Sequence, residues 1–187
     1  MQHSAGRAFI SPMGEPFHVG SSGQDGLTAW FQQADVNHDG ILTNDEMIKD
    51  AKRFFETLDV NHDGEIDPDE VTRYETVVAP EVRSGMSWGG MTPDQINDET
   101  TGGGGIGLLP IPEPVASADT NFNRGVSALE FEQAAAKRFK LLDTLGNGRL
   151  TLAELEDRRQ AVRSFARKPL PRKNPLDDQP QPSNPQQ

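Results

Sequence analysis

A chain of 187 residues can form one compact domain with tails or two small halves sharing a core, and its 34% hydrophobic content with 18 Gly and 14 Pro leaves room for only a modest core. Cysteine is absent, which excludes disulfides and thiolate metal sites but leaves the compartment open. The formal charge of -11 is uneven: residues 1–80 carry 15 acids against 5 bases, and residues 81–187 carry 14 against 13, so the first half attracts cations and is unsuited to nucleic acid or an anionic membrane.

Residues 1–26 read as an N-terminal arm. Arg7 to Phe17 predicts an extended segment about a Ser11-Pro12-Met13-Gly14 turn, with Phe9, Ile10 and Phe17 free to pack on a helical body; a disordered terminus is the alternative. His3, Arg7, Pro12, Glu15 and Pro16 interrupt the start, so no leader is predicted, and no run is long enough to span a membrane.

From Leu27 the periodicity is helical. Leu27, Trp30, Phe31 and Ala34 recur at i, i+3, i+4 and i+7 and lead into a twelve-residue loop, 35–46. Asp35, Asn37 and Asp39 place oxygens at loop positions 1, 3 and 5, Gly40 supplies the turn at 6, Ile41 offers its main-chain carbonyl at 7, and Thr43 and Glu46 stand at 9 and 12. Met47, Ile48, Ala51, Phe54, Phe55 and Leu58 then form one apolar helical stripe, so a single helix serves this loop and the next. The second loop, 59–70, has Asp59, Asn61, Asp63, Gly64, Glu65 (through its carbonyl), Asp67 and Glu70 at the corresponding places, with Ile66 at position 8 aimed at a neighbouring loop. Asp67 as cap and Pro68 at the first helical position start another helix, whose apolar face of Val71, Tyr74, Val77 and Val78 runs until Pro80.

Residues 80–114 form a Gly/Pro-rich linker. Its apolar end, Leu108 to Val115, is read as packing on the body ahead of binding a partner, and Gly102 to Gly105 lack the Lys and Ser/Thr of a phosphate loop. An offset of 84 residues lays Asp119 on Asp35 and Asp143 on Asp59, so 27–79 and 115–166 read as duplicated halves. The third loop, 119–130, keeps Asp119, Asn121, Asn123, Val126, Ser127 and Glu130 but has Arg124 at the turn position, with Gly125 one place late. The fourth, 143–154, keeps Asp143, Asn147, Gly148, Leu150, Thr151 and Glu154, with the Arg149 carbonyl at position 7, but Leu145 removes the donor at position 3. The last helix carries Leu155, Val162 and Phe165, and residues 167–187 read as a Pro-rich disordered tail entered through a basic run.

The candidate donors are all oxygens, which suits a hard cation taking six to eight oxygens at roughly 2.3–2.6 Å. His38 and His62 stand at the non-ligand position 4, so zinc and copper have no ligand set, and magnesium is the weaker competitor. The position 9 and 12 pairs are also helix-capping pairs, but capping alone would not place oxygens at 1, 3 and 5. Counting acids at the side-chain ligand positions 1, 3, 5, 9 and 12 ranks the loops: four in 59–70 (Asp59, Asp63, Asp67, Glu70), three in 35–46 (Asp35, Asp39, Glu46) and two in each later loop. No nucleophile and base combination is evident, so the chain is not predicted to be an enzyme.

These loops resemble the EF-hand pattern, as in small bacterial EF-hand calcium-binding proteins with closely spaced loop pairs, in the broad calmodulin-like superfamily. The resemblance covers roughly residues 27–78 and 115–165. It implies an all-α fold of helix-loop-helix repeats, Ca2+ as the bound ion, and a non-catalytic role as a calcium buffer or calcium-stabilised structural module. The alternative is a sensor that exposes an apolar groove to a protein partner, although only Met47 of the five Met falls on a predicted EF helix. Such relatives are often exported, implying a periplasmic or secreted location if the chain is a mature form and a cytoplasmic one otherwise. A shared helix of roughly 14 residues separates the two loops of a half by about 20 Å, so pairing is expected across halves, first loop with fourth and second with third, within a monomer; a homodimer through the same surfaces is the alternative.

Overall fold

A computed structural model of the chain describes residues 8–18, 25–85, 107–109, 111 and 113–166, without the side chains of 83–85 and 162–166. Most of the linker, the tail, and the side chains of Val162 and Phe165 lie outside the described residues.

One local signal starts the helices. At the head of α2 (Asn44–Leu58) the Thr43 side chain accepts from the Glu46 N–H while Glu46 accepts from the Thr43 N–H, satisfying two otherwise orphaned donors. Asp67 with Glu70 does the same for α3 (Pro68–Arg73), helped by Pro68 in the first turn. Ser127 with Glu130 starts α5 (Ala128–Leu142), and Thr151 with Glu154 precedes α6 (Leu152–Ala166). The first helix, α1 (Gly26–Ala34), has no side-chain cap and is held by its buried face of Leu27, Trp30, Phe31 and Ala34.

The stretch after α3 departs from expectation. The expected helix up to Pro80 widens after Arg73 into a π-helical turn, Tyr74–Val78, in which Ala79 N–H reaches Tyr74 O at 2.8 Å, and a new helix, α4 (Pro80–Gly85), begins at the proline. Proline has no N–H to continue the old ladder but fits a first turn. The wider turn redirects the side chains: Tyr74 is buried, whereas Val77, expected on the apolar face, is 68% exposed. The third loop has no full incoming helix, only a 3-10 turn at Ala116–Ala118.

The helix-rich part of the all-α expectation holds, and three two-stranded antiparallel ladders stand beside the helices. In the arm, β1 (Ala8–Ile10) pairs with β2 (Pro16–His18), setting Phe9 opposite Phe17. The other two join metal loops: β3 (Leu42–Thr43) with β6 (Arg149–Leu150), and β4 (Glu65–Ile66) with β5 (Val126–Ser127). Two residues of each loop, at positions 7 and 8 or 8 and 9, are extended, and the main-chain groups left free within the loop pair with another loop. The pairing is first with fourth and second with third, across the halves as helix length requires. Since α2 joins the first loop to the second and α5 the third to the fourth, these two helices run antiparallel between the two loop pairs.

Each loop pair therefore stands over a core drawn from both halves. Leu27, Trp30, Phe31, Leu42, Met47, Phe139, Leu142, Leu150 and Leu155 pack beneath the first and fourth loops, joined by Phe9 of the arm and by Leu108 and Leu109. Phe54, Phe55, Leu58, Ile66, Tyr74, Val126, Phe131 and Ala135 pack beneath the second and third, joined by Ile10, Met13 and Val115. The arm and the linker end lie in the body, as the apolar strip suggested.

Candidate metal centres

All four loops fold onto one turn. Positions 4 and 6 adopt positive φ in each: His38 (56°) and Gly40 (79°), His62 (59°) and Gly64 (88°), Phe122 (61°) and Arg124 (79°), Gly146 (65°) and Gly148 (73°). The position 1 aspartate organises this turn. Asp35 accepts from Asp39 N–H at 3.3 Å and Gly40 N–H at 2.9 Å, and Asp59 from Asp63 N–H at 3.2 Å and Gly64 N–H at 3.0 Å. Asp119 accepts from Phe122 and Arg124 N–H, and Asp143 from Asn147 and Gly148 N–H. Position 5 adds a second tie, from Asp39 to Ile41 N–H, Asp63 to Glu65 N–H, Asn123 to Gly125 N–H and Asn147 to Arg149 N–H. Position 3 adds a third through Asn37, Asn61 and Asn121; Leu145 makes none and stands 71% exposed.

Position 12 closes three loops across their mouths. Glu70 Oε1 accepts from Val60 N–H at 2.7 Å and Asn61 N–H at 3.2 Å while Oε2 caps the helix at Asp67. Glu130 does the same between Thr120 and Ser127. Glu46 caps at Thr43 and also receives a hydrogen bond from the Asn37 main chain. Glu154 has hydrogen bonds to Thr151 alone among the contacts described. Asp35, Glu46, Asp59, Glu70 and Glu130 are buried, whereas Asp119, Asp143 and Glu154 are half-buried. The first two loops thus bury both end carboxylates, the third buries only Glu130, and the fourth buries neither.

Charge follows these contacts. The Ser127 N–H and hydroxyl hold the Glu130 carboxyl down to about 2 against the opposing effect of burial, with the Thr120 groups adding to the hold. Burial pushes Glu46 up, but hydrogen bonds from Thr43 and Asn37 outweigh it and leave it below its ordinary value. Carboxylates so held stay charged at neutral pH.

These donors fit a hard cation. Each of the first two loops gathers carboxylate and amide oxygens around one turn. Among the described residues no three Asp, Glu or His side chains cluster closely enough to hold a metal ion as they stand. The carboxylates bond to loop N–H groups, and amide and main-chain oxygens make up much of each set. Gathering them around an ion requires side-chain rotation within a turn already formed. Among the described residues no helix is long and apolar enough to cross a membrane.

Gly125 has a purpose its sequence position hides. Arg124 itself takes the turn conformation, so Gly125 is not a displaced turn glycine. A Cβ on Gly125 would overlap the Glu65 carboxylate, which crosses from the second loop and accepts from Asn123 Nδ2 at 3.2 Å. Sequence reading assigned Glu65 only a main-chain role; the signal for its side chain is a position 7 acid facing a position 7 glycine in the partner loop. Also unforeseen is a buried polar cluster behind the loops. Arg138 donates to Pro12 O (2.8 Å), Pro114 O (2.6 Å) and Ser117 Oγ (2.9 Å), and Tyr74 Oη donates to Gly14 O (2.8 Å).

A protein-family model described as EF hand matches residues 27–49 and 51–73. The first match spans α1, the 35–46 loop and the start of α2; the second spans the rest of α2, the 59–70 loop and α3. The two adjacent repeats support an EF-hand protein, the helix-rich fold fits one, and EF hands suggest calcium as the ligand. Neither a curated protein nor a solved structure matches the chain.

Proposed function

We propose that the chain binds calcium through its EF loops without catalysing a reaction, as a calcium buffer or a calcium-stabilised structural module. The observation that carries this reading is the common turn: four loops of unequal sequence share positive φ at positions 4 and 6 and an aspartate at position 1 that gathers the loop N–H groups. The ligands are Asp35, Asn37, Asp39, Ile41 O and Glu46 in the first loop and Asp59, Asn61, Asp63, Glu65 O and Glu70 in the second. Asp119, Asn121, Asn123 and Glu130 form a weaker third site, and Asp143, Asn147, Arg149 O and Glu154 a weaker fourth. A structural or buffering role is favoured over a sensor because the apolar surface a sensor would offer is covered by the chain itself, through Phe9, Ile10, Met13, Leu108 and Leu109.

Thermal unfolding and apolar-dye fluorescence, each with and without calcium, test both parts. Calcium at 100 times its Kd should add about 2.7 kcal/mol per site to the folded state and raise Tm, with little new dye binding. A large calcium-dependent rise in dye fluorescence would favour the sensor; an unmoved Tm would contradict calcium binding.

A further inference from the structure

We propose that Glu65 is a positioning residue shared by two loops, its side chain turning Asn123 so that the third loop presents an oxygen to a cation. This rests on the calcium reading above. Glu65 stands in β4 opposite Ser127 in β5, and its carboxylate folds over Gly125, whose missing Cβ leaves the space. There Glu65 Oε1 accepts from Asn123 Nδ2 at 3.2 Å, while Asn123 Oδ1 accepts from Gly125 N–H at 2.9 Å.

The two contacts fix the amide in one orientation. Reversed, it would set an oxygen against the Glu65 carboxylate and an NH2 against the Gly125 N–H, both repulsive. In the first two loops position 5 is an aspartate, Asp39 or Asp63, with an oxygen on either side. The third loop has an asparagine there and only two acids of its own, Asp119 and Glu130, so it needs the oxygen correctly aimed and gains from a third carboxylate nearby. Glu65 also belongs to the second loop, whose position 7 ligand is its main-chain carbonyl, so ordering that loop also orders the side chain serving the third.

The test uses the metal-stripped, 15N-labelled full chain titrated with calcium. The Gly64 amide reports the second loop and the Arg124 amide the third, since each donates to its loop's first aspartate. Glu65→Ala should weaken calcium binding read at Arg124 by about 10- to 100-fold, the usual effect of losing an outer-shell partner, a larger loss than at Gly64, whose loop keeps the residue 65 main-chain carbonyl. Glu65→Gln, which keeps an acceptor for Asn123, should restore most of the loss. Before calcium is added, the Asn123 side-chain amide should exchange slowly in wild type and in Glu65→Gln and fast in Glu65→Ala. An Arg124 titration indifferent to Glu65→Ala, or uptake at Gly64 with none at Arg124 in wild type, overturns the inference alone. No response at either amide in wild type overturns the calcium reading and the inference with it.

Discussion

Arg124 holds φ +79° at the place where the other three loops have Gly40, Gly64 and Gly148, and a side chain in the left-handed region costs roughly 1–2 kcal/mol. Arg124→Gly is therefore expected to raise the unfolding free energy by about 1 kcal/mol in a urea titration, the extra chain entropy of glycine offsetting part of the relief; unchanged stability would mean the strain is compensated elsewhere. Glu130 makes a second prediction. Its folded value of about 2 lies below the ordinary 4.5, so its stabilising effect is complete above about pH 4.5 and is lost as pH falls through about 2. In calcium-free protein, Glu130→Gln should lose less stability than wild type between pH 6 and pH 3; equal acid sensitivity would contradict it. At this scale the loops were legible because their donors recur at fixed short spacing. The role of Gly125 was not, since Glu65 and Asn123 lie 58 residues apart and meet only through the loop pairing.

Helix starts were legible for the same reason: Thr43 with Glu46, Asp67 with Glu70, and Ser127 with Glu130 are local pairs that cap wherever the chain allows a helix. The π turn at Tyr74–Val78 was not legible, because it answers to tertiary demands. It accompanies a Tyr74 ring packed on Phe54 and a Tyr74 hydroxyl on Gly14 O in the arm. Burial pushes the Tyr74 hydroxyl well above its usual range, so it stays a donor. Tyr74→Phe should cost about 1 kcal/mol of stability. Arg138 is the stronger tie. Burial pushes its guanidinium down to about 10, with Glu113 opposing that, so it remains charged at neutral pH and joins α5 to Pro12, Pro114 and Ser117. Arg138→Met leaves buried carbonyls without donors and is expected to cost about 3 kcal/mol in urea unfolding; a loss below about 1 kcal/mol would show that water replaces the guanidinium.

For the whole molecule, the length of α2 was enough to exclude pairing within a half, since 15 helical residues at about 1.5 Å each cannot bring its two loops together. The arm's packing was only partly legible. Phe9, Ile10 and Phe17 marked it as able to pack, but the sequence did not say that Phe9 would join one core and Ile10 the other. The resulting body has its acidic loops at the two ends of α2 and α5, with residues of the arm and of the linker end packed into the two cores between them. Calorimetric titration of metal-stripped full chain with calcium, with magnesium present as competitor, tests the calcium-binding account most directly. The account predicts two sites of about micromolar affinity or tighter, lost in the double variant Glu46→Gln with Glu70→Gln, followed by weaker uptake at the third and fourth loops. Heat of binding that is absent in wild type, or unchanged in the double variant, would contradict it.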